Sequence, residues 1–295
     1  MGDKASESAI SAIIIVLEEL MHIIIMSGGC GMYIFVCEDR FEDMMCCIYQ
    51  AWEKALKVGH GCVRLERCGN EQPSLFDEYI HVDFNEDEYN KVVRSIKQKI
   101  SNEAYACVYY ACLSSEQDAL DAAYRFLVIG FKAGAAITYM RTEPSVMRIK
   151  DIRRRVINEA RYFREFARFN SVDGKVYVCH LEPKSDVIYE VAQHFADRMP
   201  SENWLIIDDN RRKAVIHPID GEMYIRYLTD YEIEALSGSE AVNDEYTDMW
   251  KAFFEAIAIK QRNNEKCQRN LMPLWMRKHV TEFHYCLLYT SPRPR

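Results

Sequence analysis

The chain has 295 residues, 49% of them hydrophobic and 28% charged, with a formal net charge of −8. This composition excludes a disordered or collagen-like chain, and the length suits one large domain or two small ones. Twelve glycines and eight prolines are few for this length, which argues for long helices and against an all-β sandwich. A net-negative chain that binds nucleic acid must do so through a local basic patch. The eleven cysteines include no CxxC and no cluster-binding run. That points to a reducing, cytoplasmic compartment, to buried thiols, and to no iron–sulfur cluster held by this chain.

Ile10–Met26 is strongly apolar but carries Glu18, Glu19 and His22 at its centre, so no membrane span is expected. Residues 1–31 read as an extra segment ahead of a domain that opens on the strand Met32–Cys37. A helix over Phe41–Leu56 follows, then strands over Cys62–Arg67 and Glu78–Phe84. Asn85, with Glu88 three residues on, predicts a capped helix to Ile100. Helices are predicted over Ser101–Leu113, Asp118–Ala133 and Ser145–Glu165, the last after a boundary near Pro144.

Beyond them the pattern predicts a hairpin (Phe166–Asn170 with Lys175–Leu181) and a helix (Ser185–Met199). A second hairpin (Trp204–Asp208 with Ala214–His217) turns at Asp209-Asn210, and Gly221–Leu228 adds a strand. A long helix over Ser239–Lys260 and a short one over Leu274–Phe283 complete the reading. The last ten residues, 286–295, match nothing before them and resemble translated adapter sequence, so the native chain is expected to be truncated after about Tyr285. The expected fold is α+β, with a helical middle followed by a hairpin–helix–hairpin antiparallel sheet. Its parts are 32–144 and 145–285, one large domain or two closely packed subdomains.

The helix after Pro144 carries the clearest functional signal. Lys150, Arg153, Arg154, Arg161 and Arg164 fall on one flank of its apolar face, and Arg168 continues that flank if the helix reaches it. From Arg148 to Arg168 there are eight basic and three acidic residues, against a negative chain. A row of guanidinium forks can follow a phosphate backbone; the rival reading is a solvated face with local ion pairs such as Arg161–Glu165.

Arg198 and the group Arg277, Lys278 and His279 are further candidates for phosphate contact. Glu182 and Lys184, at a strand end, and His194 and Asp197, one helix later, could do acid–base work; the alternative is capping and surface charge. Asp121 and Arg125 form either the wet edge of a buried helix or a polar groove floor. Cys179 with His180, His60 with Cys62, and Cys107 with Cys112 lack zinc spacing, so no metal is expected.

Several long segments occur together and in order: Met32–Trp52, KISNEAY at Lys99–Tyr105, YRFLVIGF at Tyr124–Phe131 and RRVINEARYFREFARF at Arg154–Phe169. They continue with LEPKSDVI at Leu181–Ile188, HFADRMPSENWLIID at His194–Asp208 and CQRNLMPLWMRKHVTEF at Cys267–Phe283. Together they resemble a DNA-metabolism family encoded beside a radical-SAM DNA modification or repair protein, whose domain also occurs fused to uracil-DNA-glycosylase-like domains. The chain departs from that family at Arg161, where His is usual, and at Trp275-Met276, where Arg and an aromatic are usual.

The resemblance implies a DNA substrate and a radical-SAM partner that carries the iron–sulfur cluster and S-adenosylmethionine, with no cofactor in this chain. The expected function is a DNA-binding accessory protein in repair or modification. The alternatives are a DNA-processing enzyme (lyase, nuclease or glycosylase-like) or a protein-interaction module without direct DNA contact.

Overall fold

A computed structural model describes residues 31–69, 76–172, 174–237 and 264–280, with a few isolated positions between 249 and 256. The chain divides into two compact units: residues up to Cys112 with Gln117–Ile149, and Leu113–Glu116 with residues from Lys150 on. The fold is α+β.

The first unit opens with β1 (Tyr33–Cys37), α1 (Phe41–Val58), β2 (Val63–Arg67) and β3 (Glu78–Val82). Its three strands run in the order β2-β1-β3, and both pairings are parallel. The α1 crossover makes β1 and β2 so, because a strand joined to its neighbour through a helix returns in the same direction. Met44, Met45, Cys47, Ile48 and Ala51 bury one face of α1, and the helix stops at Gly59, whose φ of 96° a side chain would resist.

Next come α2 (Glu86–Lys99), α3 (Asn102–Leu113) and α4 (Ala119–Ala133). Asn85 caps α2 as its spacing predicts, its side chain accepting from Glu88 N at 3.2 Å. In α4, Leu120, Ala123, Phe126 and Leu127 are fully buried, in keeping with its nearly all-round apolar sequence.

Helix α5 (Pro144–Phe166) leads into the second unit's sheet: β4 (Asn170–Val172), β5 (Val176–Leu181), β6 (Trp204–Asp208), β7 (Lys213–His217) and β8 (Tyr224–Tyr227). Strand order follows the chain, β4-β5-β6-β7-β8. Helix α6 (Ile188–Arg198) links β5 to β6, and that pair is parallel; the other three pairings are antiparallel. The expected hairpins are present, but the helix between them forces one parallel pair into the sheet. Val178, Ile207 and Ala214 form a core cluster on it.

Two local readings change. Residues read as a strand from Phe166 belong first to the end of α5, and pairing begins at Asn170. The short helix read over Leu274–Phe283 is a single 3-10 turn at Leu274–Met276, after Pro273, with residues beyond 280 outside the description. Helices α7 (Asp230–Ser237) and α8 (Glu265–Leu271) do not stand out in the pattern. The apolar stretch Ile10–Met26, the helix Ser239–Lys260 (apart from isolated positions) and the tail 286–295 lie outside the described residues. Among the described residues, no helix is long and apolar enough to cross a membrane.

Candidate active site

Strands β5 and β6 run side by side with Leu181 opposite Asp208. The next residues, Glu182 and Asp209, therefore emerge together at the carboxyl ends of adjacent parallel strands, a place where open sheets commonly bind ligands. Alternation along β5 puts His180 on the same face as Glu182. His180 is buried, and its Nδ1 lies 3.1 Å from Asp209 Oδ1 and 3.3 Å from Oδ2. A carboxylate only accepts, so Nδ1 carries the hydrogen and Nε2 is the basic nitrogen of the ring.

The segment after α8 completes the cluster. His279 Nε2 stands 3.5 Å from Asp209 Oδ2 and 3.7 Å from Glu182 Oε1, and its ring stacks on that of His180 with centroids 6.0 Å apart. The exposed Lys278 ammonium pairs with Glu182. One wall is apolar, formed by Phe163 and Phe166 of α5 with Trp275, Met276 and Val280. Lys184 lays its ammonium 4.6 Å above the Trp275 ring, and Trp275 meets Phe163 edge-on.

The loop that presents Glu182 is held from two sides. Glu159 of α5 accepts hydrogen bonds from Lys184 N (2.6 Å) and Ser185 N (3.2 Å). From the β6–β7 turn, Asn210 Nδ2 and Arg211 Nη1 both donate to Pro183 O, and Arg211 also reaches Lys184 O. Arg211 pairs in turn with the fully buried Asp208, whose carboxyl is pushed up by burial, with Arg211 pulling it back down. Lys213 pairs with Asp186 further along the same loop. These bonds fix the backbone on which Glu182 and Asp209 stand.

Five of the residues singled out from the sequence thus meet here: His180, Glu182, Lys184, Lys278 and His279. His194 and Asp197 do not join them. They lie in the second half of α6, a helix about 16 Å long that starts beside the carboxyl end of β5 and runs back to the start of β6. That places them at the opposite end of the sheet, where His194 meets Phe195 edge-on. Arg198 is exposed at the same far end. Arg277 points inward: it is buried, donates from Nε to Met272 O, and has its pKa lowered by burial.

The basic flank of α5 is partly neutralised by its own neighbours. Asp151 pairs with Arg154 (2.5 Å) and Arg155 (2.6 Å), and Arg155 also reaches Glu116. Arg161 lies 3.9 Å from Glu165 and beside the Tyr162 ring. Arg168 donates to the carbonyls of Glu165 and Ala167, while Lys150, Arg153 and Arg164 are half-buried. Arg154 and Arg161 keep more than half of their side-chain surface exposed.

Asp121 and Arg125 are used structurally in the first unit. Asp121 accepts from Leu65 N, and Arg125 donates to the carbonyls of His60 and Val63, so the pair fastens α4 to the start of β2. Most of the nine described cysteines are buried. Burial pushes the Cys112 thiol up to about 12 and raises Cys47 as well, so neither is a ready nucleophile.

Residues 117–282, more than half of the chain, match a family described as a domain of unknown function, DUF4130. The chain belongs to this family. The matched DUF4130 region contains every residue of the His180–Glu182–Asp209–His279 cluster and all of α5. No curated protein and no solved structure matches the chain.

Proposed function

We propose that this protein is an enzyme acting on DNA, with His180, Glu182, Asp209 and His279 as its reactive centre. The observation that carries this reading is their convergence at the carboxyl ends of β5 and β6, on a loop held by Glu159, Asn210 and Arg211. Two histidines beside two carboxylates can take a proton from water and return one to a leaving group. His180, oriented by Asp209, serves as the base; Lys278 and Lys184 supply positive charge where an anionic strand would lie. DNA as the substrate rests on the family resemblance and on the exposed arginines of α5, the helix that also lends Phe163 and Phe166 to the site's wall.

The test is conversion of end-labelled intact, uracil-bearing and abasic oligonucleotides by the full chain. Product that disappears in Asp209→Asn, while DNA binding persists, supports the reading. No product on any of these substrates counts against it.

A second reading has its own support in the arginine flank of α5: a DNA-binding accessory subunit to a radical-SAM partner that supplies the cluster and S-adenosylmethionine. It predicts salt-dependent DNA binding without turnover by this chain alone.

A further inference from the structure

Building on the reading of this cluster as the reactive centre, we infer that Glu182, Asp209 and His279 bind one divalent transition-metal ion. Each offers one ligand atom, and these atoms all lie within 4.8 Å of one another. The spacing itself argues for a metal. His279 Nε2 is 3.5 Å from Asp209 Oδ2 and 3.7 Å from Glu182 Oε1, too long for a good hydrogen bond. Ligands about 2.1 Å from a tetrahedral metal stand roughly 3.4 Å apart, close to both separations.

The surroundings fit the same role. His180 holds Asp209 from behind through Nδ1, the kind of outer hydrogen bond that orients a ligating carboxylate. The ligand-bearing loop is anchored by Glu159, Asn210 and Arg211, so its backbone need not be reordered when an ion enters. Lys278, exposed and on a flexible stem, neutralises Glu182 and can swing into solvent as the ion takes its place. One imidazole nitrogen with two carboxylate oxygens suits the later first-row metals better than magnesium or calcium. An ion here would draw a bound water or a phosphate oxygen to the carboxyl ends of β5 and β6.

The experiment is titration of the chelator-stripped full chain with Co2+, followed by visible absorption. The expected result is one equivalent bound with ligand-field bands and no thiolate charge-transfer band, unaffected by equal Mg2+. Affinity should fall at least tenfold in His279→Gln and in Asp209→Asn. In Lys278→Ala, an exposed change that leaves the fold intact, it should rise several-fold as the competing ammonium is removed.

Binding through thiolate, binding indifferent to all three variants, or no stoichiometric binding would overturn the inference. A chain that binds Co2+ but converts no DNA upholds the metal site and defeats the proposed activity. One that binds no Co2+ yet converts DNA equally well after stripping does the reverse.

Discussion

His180 and Asp209 meet across the ends of two neighbouring parallel strands, with Nδ1 of the imidazole 3.1 Å from the carboxylate. This hydrogen bond sets the tautomer of a buried ring. Asp209→Asn would keep the shape but offer an amide that can equally donate, so the ring loses its fixed orientation. Turnover on DNA should fall by about 10²–10⁴ with binding unchanged, read by single-turnover kinetics beside anisotropy. Equal loss of both would mean that Asp209 holds the fold rather than the reaction.

Glu159 reaches from α5 to the amides of Lys184 and Ser185. Glu159→Ala strands a buried donor at Ser185, which should cost about 1–3 kcal/mol in denaturant unfolding. Hydrogen exchange at these two amides should quicken selectively. Unchanged exchange there would show that the loop is held by the β6–β7 turn alone.

If DNA runs along α5, its phosphates must compete with the helix's own carboxylates for the arginines. Asp151→Asn releases Arg154 and Arg155 and should tighten DNA binding. Replacing Arg154 and Arg161 by Ala should weaken it and flatten the salt dependence by about 0.9 in log–log slope for each phosphate left without its arginine. An anisotropy salt series reads both effects. Weaker binding in Asp151→Asn would remove this helix from the DNA path.

In the first unit, His60 Nδ1 lies 2.8 Å from the Tyr124 hydroxyl. Burial raises the Tyr124 pKa, so the phenol keeps its proton in this contact. Burial, then Lys132 and Arg125, lower the His60 pKa below 6.5. The unfolded chain therefore takes up this proton first. The contribution of His60 to stability is complete above about pH 6.5 and declines as pH falls through the window between the unfolded and the folded value. Histidine NMR should show His60 titrating below 6.5. Titration at or above 6.5 would contradict this account.

Much of the fold is legible in local pattern. The Asn85 cap, the buried stripe of α4 and the extent of β6 follow from spacing and capping chemistry. The site is only half legible, for a topological reason. Glu182 stands out at a strand end, but Asp209 reads as an ordinary turn residue between two antiparallel strands. Only the parallel pairing of β5 with β6, set by the α6 crossover, brings the two together. The same crossover carries His194 and Asp197 away, although both follow Glu182 closely in sequence. His180 is detectable, since it lies two residues before Glu182 and so shares its face. His279 requires an approach between segments far apart in the chain, which no periodicity encodes.

The most direct test of where the chemistry lies compares Glu182→Gln with the double change His194→Ala and Asp197→Ala. Both variants and the wild type are assayed for conversion of the same labelled DNA at equal occupancy. With the reactive centre at the ends of β5 and β6, Glu182→Gln abolishes product and the double change leaves the rate within about twofold, the range expected of surface positions outside the site. Product that survives Glu182→Gln but vanishes in the double variant would place the chemistry at the other end of the sheet and contradict the account.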